Sequence, residues 1–318
     1  MKAIVQVSYG SPDGLELREI EKPAIADDRV LVRVRAASVN AADWHLMKRL
    51  PHLISRFFGM RPSRVRGGDL AGVVEVAGKN VTRLTPGDEV FGSGMGTFAE
   101  FATAPEDRLA PKPRNLTFEQ AAAMSGAGCT ALQGLRDKGE VKPGQQVLIY
   151  GAGGGVGTFA VQIARALGAR VTAVTSTANL ELVRSIGADE AIDYTKEDFT
   201  RRGERWDVVF DIGADRSFAD LRRVLSPDGK VVLCGAPSSI WLALASLIKA
   251  QLMSRAGSRQ ISYVTRIRQS DLLALNDLAE AGKLVPVIDR QYPLAEVPEA
   301  LRYLGTKQAR GKVVISVA

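Results

Sequence analysis

Cysteine and histidine are both scarce. The 318 residues hold two of each. Cys129 and Cys234 lie far apart, with no C-x-x-C pair, so neither a disulfide framework nor a zinc–cysteine cluster can be built from them. Around His45 and His52 no Ser/His/Asp or paired-carboxylate arrangement stands out. His45 with Asp43 remains a candidate proton donor, beside the reading of His45 as a structural residue. No apolar run reaches the roughly 18 residues that mark a membrane span. The opening "MKAIVQVSYG" alternates like a strand and lacks the apolar core of a signal peptide. The expectation is a protein of a reducing, cytoplasmic compartment.

Long charge runs are also missing. The net charge is +7, yet Lys and Arg never run beyond a pair. That pattern reads as a solvated basic surface, or as an attraction for anions such as nucleotides or nucleic acid. A nucleic-acid face needs basic residues lined with aromatics. Only residues 48–66, "KRLPHLISRFFGMRPSRVR", offer that, so no nucleic-acid partner is expected. The same segment also reads as a surface loop packing Phe57 and Phe58, or as a flap over a pocket.

What is present is an ordinary globular balance, 46 % apolar and 24 % charged, at a length suited to two domains. Residues 1–120 are rich in strands and turns, with "VLVRVRAASV" and "AGVVEVAG" as β-branched runs. From about residue 121 short apolar strands alternate with helical strings. The strands are "QVLIY" (146–150), "RVTAVT" (170–175), "EAIDY" (190–194), "DVVFDI" (207–212), "KVVLCG" (230–235) and "ISYVT" (261–265). Repeated βαβ units predict an α/β fold with a doubly wound parallel sheet. Ser217 and Ser270 are the expected N-caps of two of the helices. After Gly282 the chain returns to strand, turn, helix and strand, and is expected to rejoin the first domain. The predicted division is 1–123 with 267–318, and 124–266 inserted between them. Residues 240–253, "IWLALASLIKAQLM", read as a buried helix, a dimer surface or a wall for a hydrophobic substrate.

The motif with the most chemistry is "YGAGGGVGTFAVQIARALG", residues 150–168, with five glycines at 151–157. It follows a strand and opens a helix within a βαβ unit, the setting of a dinucleotide loop. Gly153, Gly154, Gly155 and Val156 would face the pyrophosphate, Gly154 by close backbone approach. Gly157 would let the helix pack tightly on its strand. The first glycine of the usual pattern is Ala152 here. The second strand ends in "VTSTAN", which has no carboxylate to hold a ribose 2′-hydroxyl. Ser176, Thr177 and Asn179 would accept a 2′-phosphate, so the expected cofactor is NADP(H).

Taken together, "AASVNAAD", "GGDLAGVV", "GDEVFG", "AGGGVGTFAVQIARALGA" and "RGKVVI" resemble the zinc-independent branch of the medium-chain dehydrogenase/reductase superfamily, of quinone-oxidoreductase type. The resemblance covers essentially the whole chain. It implies a Rossmann sheet inserted into a mostly-β, GroES-like substrate domain. The family's catalytic zinc ligands fall here on Asn40, on Gly68 and near Gly126, none able to ligate, so no metal is expected. Asn40 matches the Asn beside the nicotinamide and substrate carbonyl, which makes it the candidate for both catalysis and cofactor binding. Thr130 matches a hydroxyl near the nicotinamide ribose or carboxamide, and Tyr194 a Tyr flanking the adenosine phosphate. Asn179 replaces a Lys often found 15 residues before that Tyr. Ile212 with Gly213, and Cys234 with Ala236, close strands at the ligand-binding end. Val264 and Lys312 resemble late contacts to the nicotinamide half and the pyrophosphate. The implied activity is an NADPH-dependent oxidoreductase passing hydride to a small quinone or α,β-unsaturated carbonyl, in a homodimer. The alternatives are a 2-enoyl-thioester reductase, for which a Tyr donor near "SVN" is lacking, and a nucleotide-dependent RNA-binding protein.

Overall fold

The computed structural model describes residues 1–8, 10–47, 65–213, 216–234 and 259–317. His52, Phe57, Phe58, Ala236 and the apolar stretch 240–253 lie outside the described residues. The chain divides into two units, Met1–Ala127 with Ile267–Ala318, and Gly128–Arg266. The first crossing comes four residues later than the sequence suggests, because it falls inside the helix Phe118–Leu132, where no turn residue marks it.

Strands are numbered along the chain. The first unit holds β1 (Lys2–Gln6), β2 (Leu15–Glu19), β3 (Arg29–Val39), β4 (Asp69–Ala77), β5 (Glu89–Ser93), β6 (Phe101–Pro105) and β7 (Leu109–Pro111). β1 and β2 form an antiparallel pair. A larger sheet runs β14 (Ile288–Pro293), β15 (Lys312–Ser316), β3, β4, β5, β7, with β6 also on β3. β3 is its hub. Register shifts at Leu31/Val32 and Val34/Ala36 bend it, so that one strand serves β4, β6 and β15 in turn. Its buried Val30, Val32, Val34, Ala37 and Val39 join Leu70, Phe98, Val313 and Ile315 in one apolar core. The final strand pairs Val313 with Val39, which seats Lys312 beside the end of β3.

The second unit holds β8 (Gln146–Tyr150), β9 (Arg170–Thr175), β10 (Glu190–Asp193), β11 (Trp206–Asp211), β12 (Leu225–Leu233) and β13 (Gln260–Ser262). All pair parallel, in the order β10-β9-β8-β11-β12-β13. Counted from β8 this is 3-2-1-4-5-6, the doubly wound dinucleotide order, with its switch point between β8 and β11. The strands are apolar runs because both sheet faces are covered. β8 and β9 span the residues the sequence assigns to them.

Three local expectations need correction. β13 ends at Ser262 rather than Thr265, because the Tyr263 hydroxyl donates to Thr130 O at 2.5 Å and Thr265 bonds Thr130, drawing the chain off the ladder. β12 begins at Leu225, ahead of its Pro-Asp-Gly turn signal. Ser217 caps its helix, accepting from Asp220 N, but Ser270 does not cap the next one. That helix starts at Gln269, whose side chain is tied to Leu109 O at 3.0 Å and so fixes the first turn one residue early.

Candidate functional site

The glycine loop leaves the C-terminal end of β8. Gly151 takes φ +87°, a conformation that side chains resist, and the N–H groups of Gly151 and Ala152 both donate to Val174 O. The helix Gly155–Ala166 then begins with no side-chain cap, so its first N–H groups are open to an anion. Its Gly157 is obligatory. A Cβ there would lie 2.2 Å from Gly151 O. At Gly154 a Cβ would meet only Gly151 O, at 3.5 Å, so the space over that backbone is clear. Gly153 is packed on the Asn179 amide, whose Oδ1 is buried without a hydrogen-bond partner among the described residues. Clear backbone, open N–H groups and an orphaned amide oxygen fit a bound pyrophosphate and adenosine ribose. Gly155 and Val156 are half-buried at the helix start.

The ribose end holds a residue that the sequence reading missed. No acid follows β9, but Asp193 ends β10 level with Thr175. Aligning "EAIDY" beside "RVTAVT" as parallel neighbours would have placed it there. Its Oδ2 accepts from Thr177 Oγ1 and lies 3.7 Å from Lys196 Nζ. Its Oδ1 accepts from Thr195 N at 3.0 Å and Thr195 Oγ1 at 2.7 Å. The Thr177 hydroxyl, followed by the Thr195 groups and Lys196, holds the carboxyl at about 2. A carboxylate has about four acceptor sites. Three hydrogen bonds and a nearby ammonium engage it, so Asp193 stitches two loops together. Ser176 is half-buried and Thr177 exposed beside it. Tyr194 is 45 % exposed and meets Tyr150 edge to face, so it is not a core residue.

At the ends of β11 and β12 stand Ile212, half-buried, and Cys234. Cys234 N donates to Asp211 O at 2.9 Å. Burial pushes the Cys234 thiol up to about 12, so it is no thiolate at neutral pH, and its neighbour Tyr263 is also pushed up by burial. Thr130 Oγ1 shares a 2.8 Å hydrogen bond with Thr265 Oγ1. Val264, between those two anchored residues, is 62 % exposed. The structure thus brings Thr130, Val264 and Cys234 to one segment.

In the first unit, Asn40 opens the helix Ala41–Met47. Asp43 reaches back to its N–H at 2.8 Å, half of a capping box, which releases the Asn40 side chain for other partners. The Asn40 amide nitrogen donates to Asp69 Oδ2 at 2.8 Å, and its oxygen accepts from Lys312 Nζ at 2.6 Å. Ser38 Oγ donates to the same Asp69 oxygen at 2.9 Å. A Cβ at Gly126 would fall 2.8 Å from Asp69 Oδ2, so glycine makes room for the carboxylate. Lys312 is only 3 % exposed, and its ammonium also donates to Val39 O at 3.1 Å. The resemblance implies a cofactor contact at Lys312; the fold encloses its ammonium and directs it onto Asn40. Desolvation lowers Lys312 and raises Asp43 to about 7. Asp43 and His45, two residues apart on one helix, do not share a face.

The positions aligned with zinc ligands therefore carry an amide and two glycines. Among the described residues, no group of three or more His, Cys, Asp and Glu is placed to hold a metal. A polar cavity of about 290 Å³ is lined by Gln146, Arg170, Glu190 and Trp206, at the N-terminal strand ends, opposite the glycine loop. Ligands of open parallel sheets bind at the other end. No described helix is long and apolar enough to cross a membrane.

A glycine loop at the switch point of a 3-2-1-4-5-6 sheet defines a dinucleotide-binding Rossmann unit. Residues 26–114 match the alcohol dehydrogenase GroES-like domain, and residues 186–315 the zinc-binding dehydrogenase family. The chain is 37 % identical to the chloroplastic NADPH-dependent alkenal/one oxidoreductase of Arabidopsis thaliana, over 99 % of this chain and 79 % of that one. It is 31 % identical to human quinone oxidoreductase, over 94 % and 92 %. The solved quinone oxidoreductase of Coxiella burnetii is 30 % identical, with a TM-score of 0.86 over 100 % of this chain and 99 % of that one. The chain belongs to the medium-chain dehydrogenase/reductase superfamily, in its zinc-independent, quinone-oxidoreductase-like group.

Proposed function

We propose that this protein is an NADPH-dependent reductase of quinones or α,β-unsaturated carbonyls. The observation that carries the reading is the identity of the groups at the aligned zinc positions. Asn40, Gly68 and Gly126 cannot assemble the three ligands that a catalytic zinc needs. Without a Lewis acid an unactivated alcohol is a poor hydride source. A quinone or enone accepts hydride at carbon and moves charge to an oxygen that hydrogen-bond donors stabilise. The similarity to an alkenal/one oxidoreductase and to quinone oxidoreductases supports the same substrate class.

When bound, the reduced nicotinamide supplies the hydride. The chain's own residues bind and orient. The Gly153–Val156 backbone and the helix start receive the pyrophosphate, and Ser176, Thr177, Asn179 and Tyr194 flank the adenosine ribose. Thr130, Ile212, Cys234 and Val264 line the nicotinamide end of the Rossmann unit. Asn40 is the residue of the GroES-like unit assigned to the substrate carbonyl, fixed in rotamer by Lys312 and Asp69. We assign the protein to the cytoplasm, a compartment that suits a chain of two cysteines with no C-x-x-C pair. A homodimer fits the short edge strand β13, which pairs on one side only among the described residues.

The test is fluorescence titration with NADPH and NADH, followed by turnover on quinones, enones and alcohols. NADPH binding with quinone or enone reduction is expected. Oxidation of simple alcohols with stoichiometric zinc would overturn the reading.

A further inference from the structure

We infer that Lys196 is the cation that recognises the ribose 2′-phosphate and sets the preference for NADPH over NADH. The inference rests on the cofactor reading above and deepens it. In this fold the adenosine ribose lies beyond the end of the second strand, here β9. The hydroxyls there do not suffice. Thr177 Oγ1 donates its proton to Asp193, and the Asn179 amide is packed against Gly153. A phosphate dianion needs a cation, and "VTSTAN" holds none.

The third strand supplies it. Lys196 Nζ lies 3.7 Å from Asp193 Oδ2, the oxygen that also accepts from Thr177. One carboxylate oxygen thus brings an ammonium and the ribose-end hydroxyl together. The Lys196 side chain is 68 % exposed. An ammonium carries three donors, and at 3.7 Å the carboxylate pairs with it by charge without a hydrogen bond. The donors remain for an incoming phosphate. The other described cations of these loops pair with carboxylates other than Asp193. Arg202 pairs with Glu190 at 2.7 Å and Glu204 at 3.2 Å, Arg184 with Glu181 at 2.8 Å, and Arg201 with Asp198 at 3.7 Å. Asp193 itself does not repel the phosphate strongly, since three hydrogen bonds and a nearby ammonium share its charge. It sets the starting point of Lys196 and leaves the lysine free to turn outward.

The experiment titrates the full chain with NADPH, NADH and 2′,5′-ADP, as wild type, Lys196→Gln and Lys196→Arg. Lys196→Gln is expected to weaken NADPH and 2′,5′-ADP about tenfold or more, the size of a lost charged hydrogen bond. NADH affinity should stay put, and Lys196→Arg should retain most of the preference. A wild type that prefers NADPH, with Lys196→Gln keeping that preference, overturns the lysine assignment and leaves the cofactor reading intact. Equal weakening of NADPH and NADH also overturns it, because the lysine would then be structural. A wild type that binds neither nucleotide, or favours NADH, overturns the cofactor reading and this inference with it.

Discussion

Asp193 in the Rossmann unit and Asp43 in the GroES-like unit are equally hidden, at 6 % and 9 % exposure. They titrate in opposite directions. Asp193 is held at about 2 and Asp43 is raised to about 7. The difference lies first in desolvation, which is the largest influence on Asp43, and then in donors, the Thr177 hydroxyl being the largest influence on Asp193. Asp193 collects two hydroxyls, a backbone N–H and a nearby ammonium. Asp43 has the Asn40 N–H, faces the like charge of Asp69, and lies near Lys312, whose ammonium is bonded to other atoms. Desolvation outweighs the single backbone donor at Asp43, while the donors outweigh desolvation at Asp193.

The largest expected effect comes from removing the cation of the Asp43 cluster. Lys312→Met strips the charge that offsets Asp69 and Asp43 and frees the Asn40 amide to rotate. Urea melts should show a loss of about 3 kcal/mol or more, as for other buried charge clusters broken on one side. Lys312→Met combined with Asp69→Asn should recover part of that loss, since the stranded charge is gone. Additive losses would mean the two groups do not interact.

Next comes the pH dependence of Asp43. Its folded value, about 7, lies above the ordinary 3.8, so the folded chain holds this proton more tightly than the unfolded one. The contribution is complete below about pH 4 and is lost as pH rises through about 7. Asp43→Asn keeps an oxygen for the Asn40 N–H and removes the charge. The variant should flatten the slope and be more stable than wild type at pH 8, by on the order of 2–4 kcal/mol. Denaturant melts across pH 4 to 8 check this, and parallel wild-type and variant curves would refute it.

The same contrast explains what was legible in the sequence. The glycine loop is a local feature, with strand, turn and helix carried by consecutive residues, so β8, β9 and the loop could be read directly. The Asn40 cluster is assembled from afar. Asn40 meets Asp69 across 29 positions and Lys312 across 272, and no spacing rule links them until β15 is paired with β3. The resemblance supplied Asn40 and Lys312 separately, but not that one orients the other. Asp193 lay in plain view within "EAIDY". It was missed because the reading looked for an acid after the second strand, while the fold brings one in from the third. Ser270 was misread because a capping residue type counts for less than the tertiary hydrogen bond made by Gln269.

On the Asp193 side the sign reverses. Its folded value lies below the ordinary 3.8, so the stability it contributes is present above that value and lost as pH falls toward 2. Asp193→Asn should leave the neutral-pH fold in place, remove the Lys196 partner, and shift the acid unfolding midpoint by circular dichroism. The smallest expected change, and the sharpest test of the donor argument, is Thr195→Val. It deletes the hydroxyl bonded to Oδ1 and leaves the Thr195 N–H and the Thr177 hydroxyl in place. Valine keeps the β-branched shape, so packing is held constant while one donor is lost. If donor number sets the titration, the Asp193 carboxyl signal followed by NMR should move up from about 2 toward 3.8 without reaching it. An unmoved value would assign the depression to the Thr177 hydroxyl, the Thr195 N–H and Lys196.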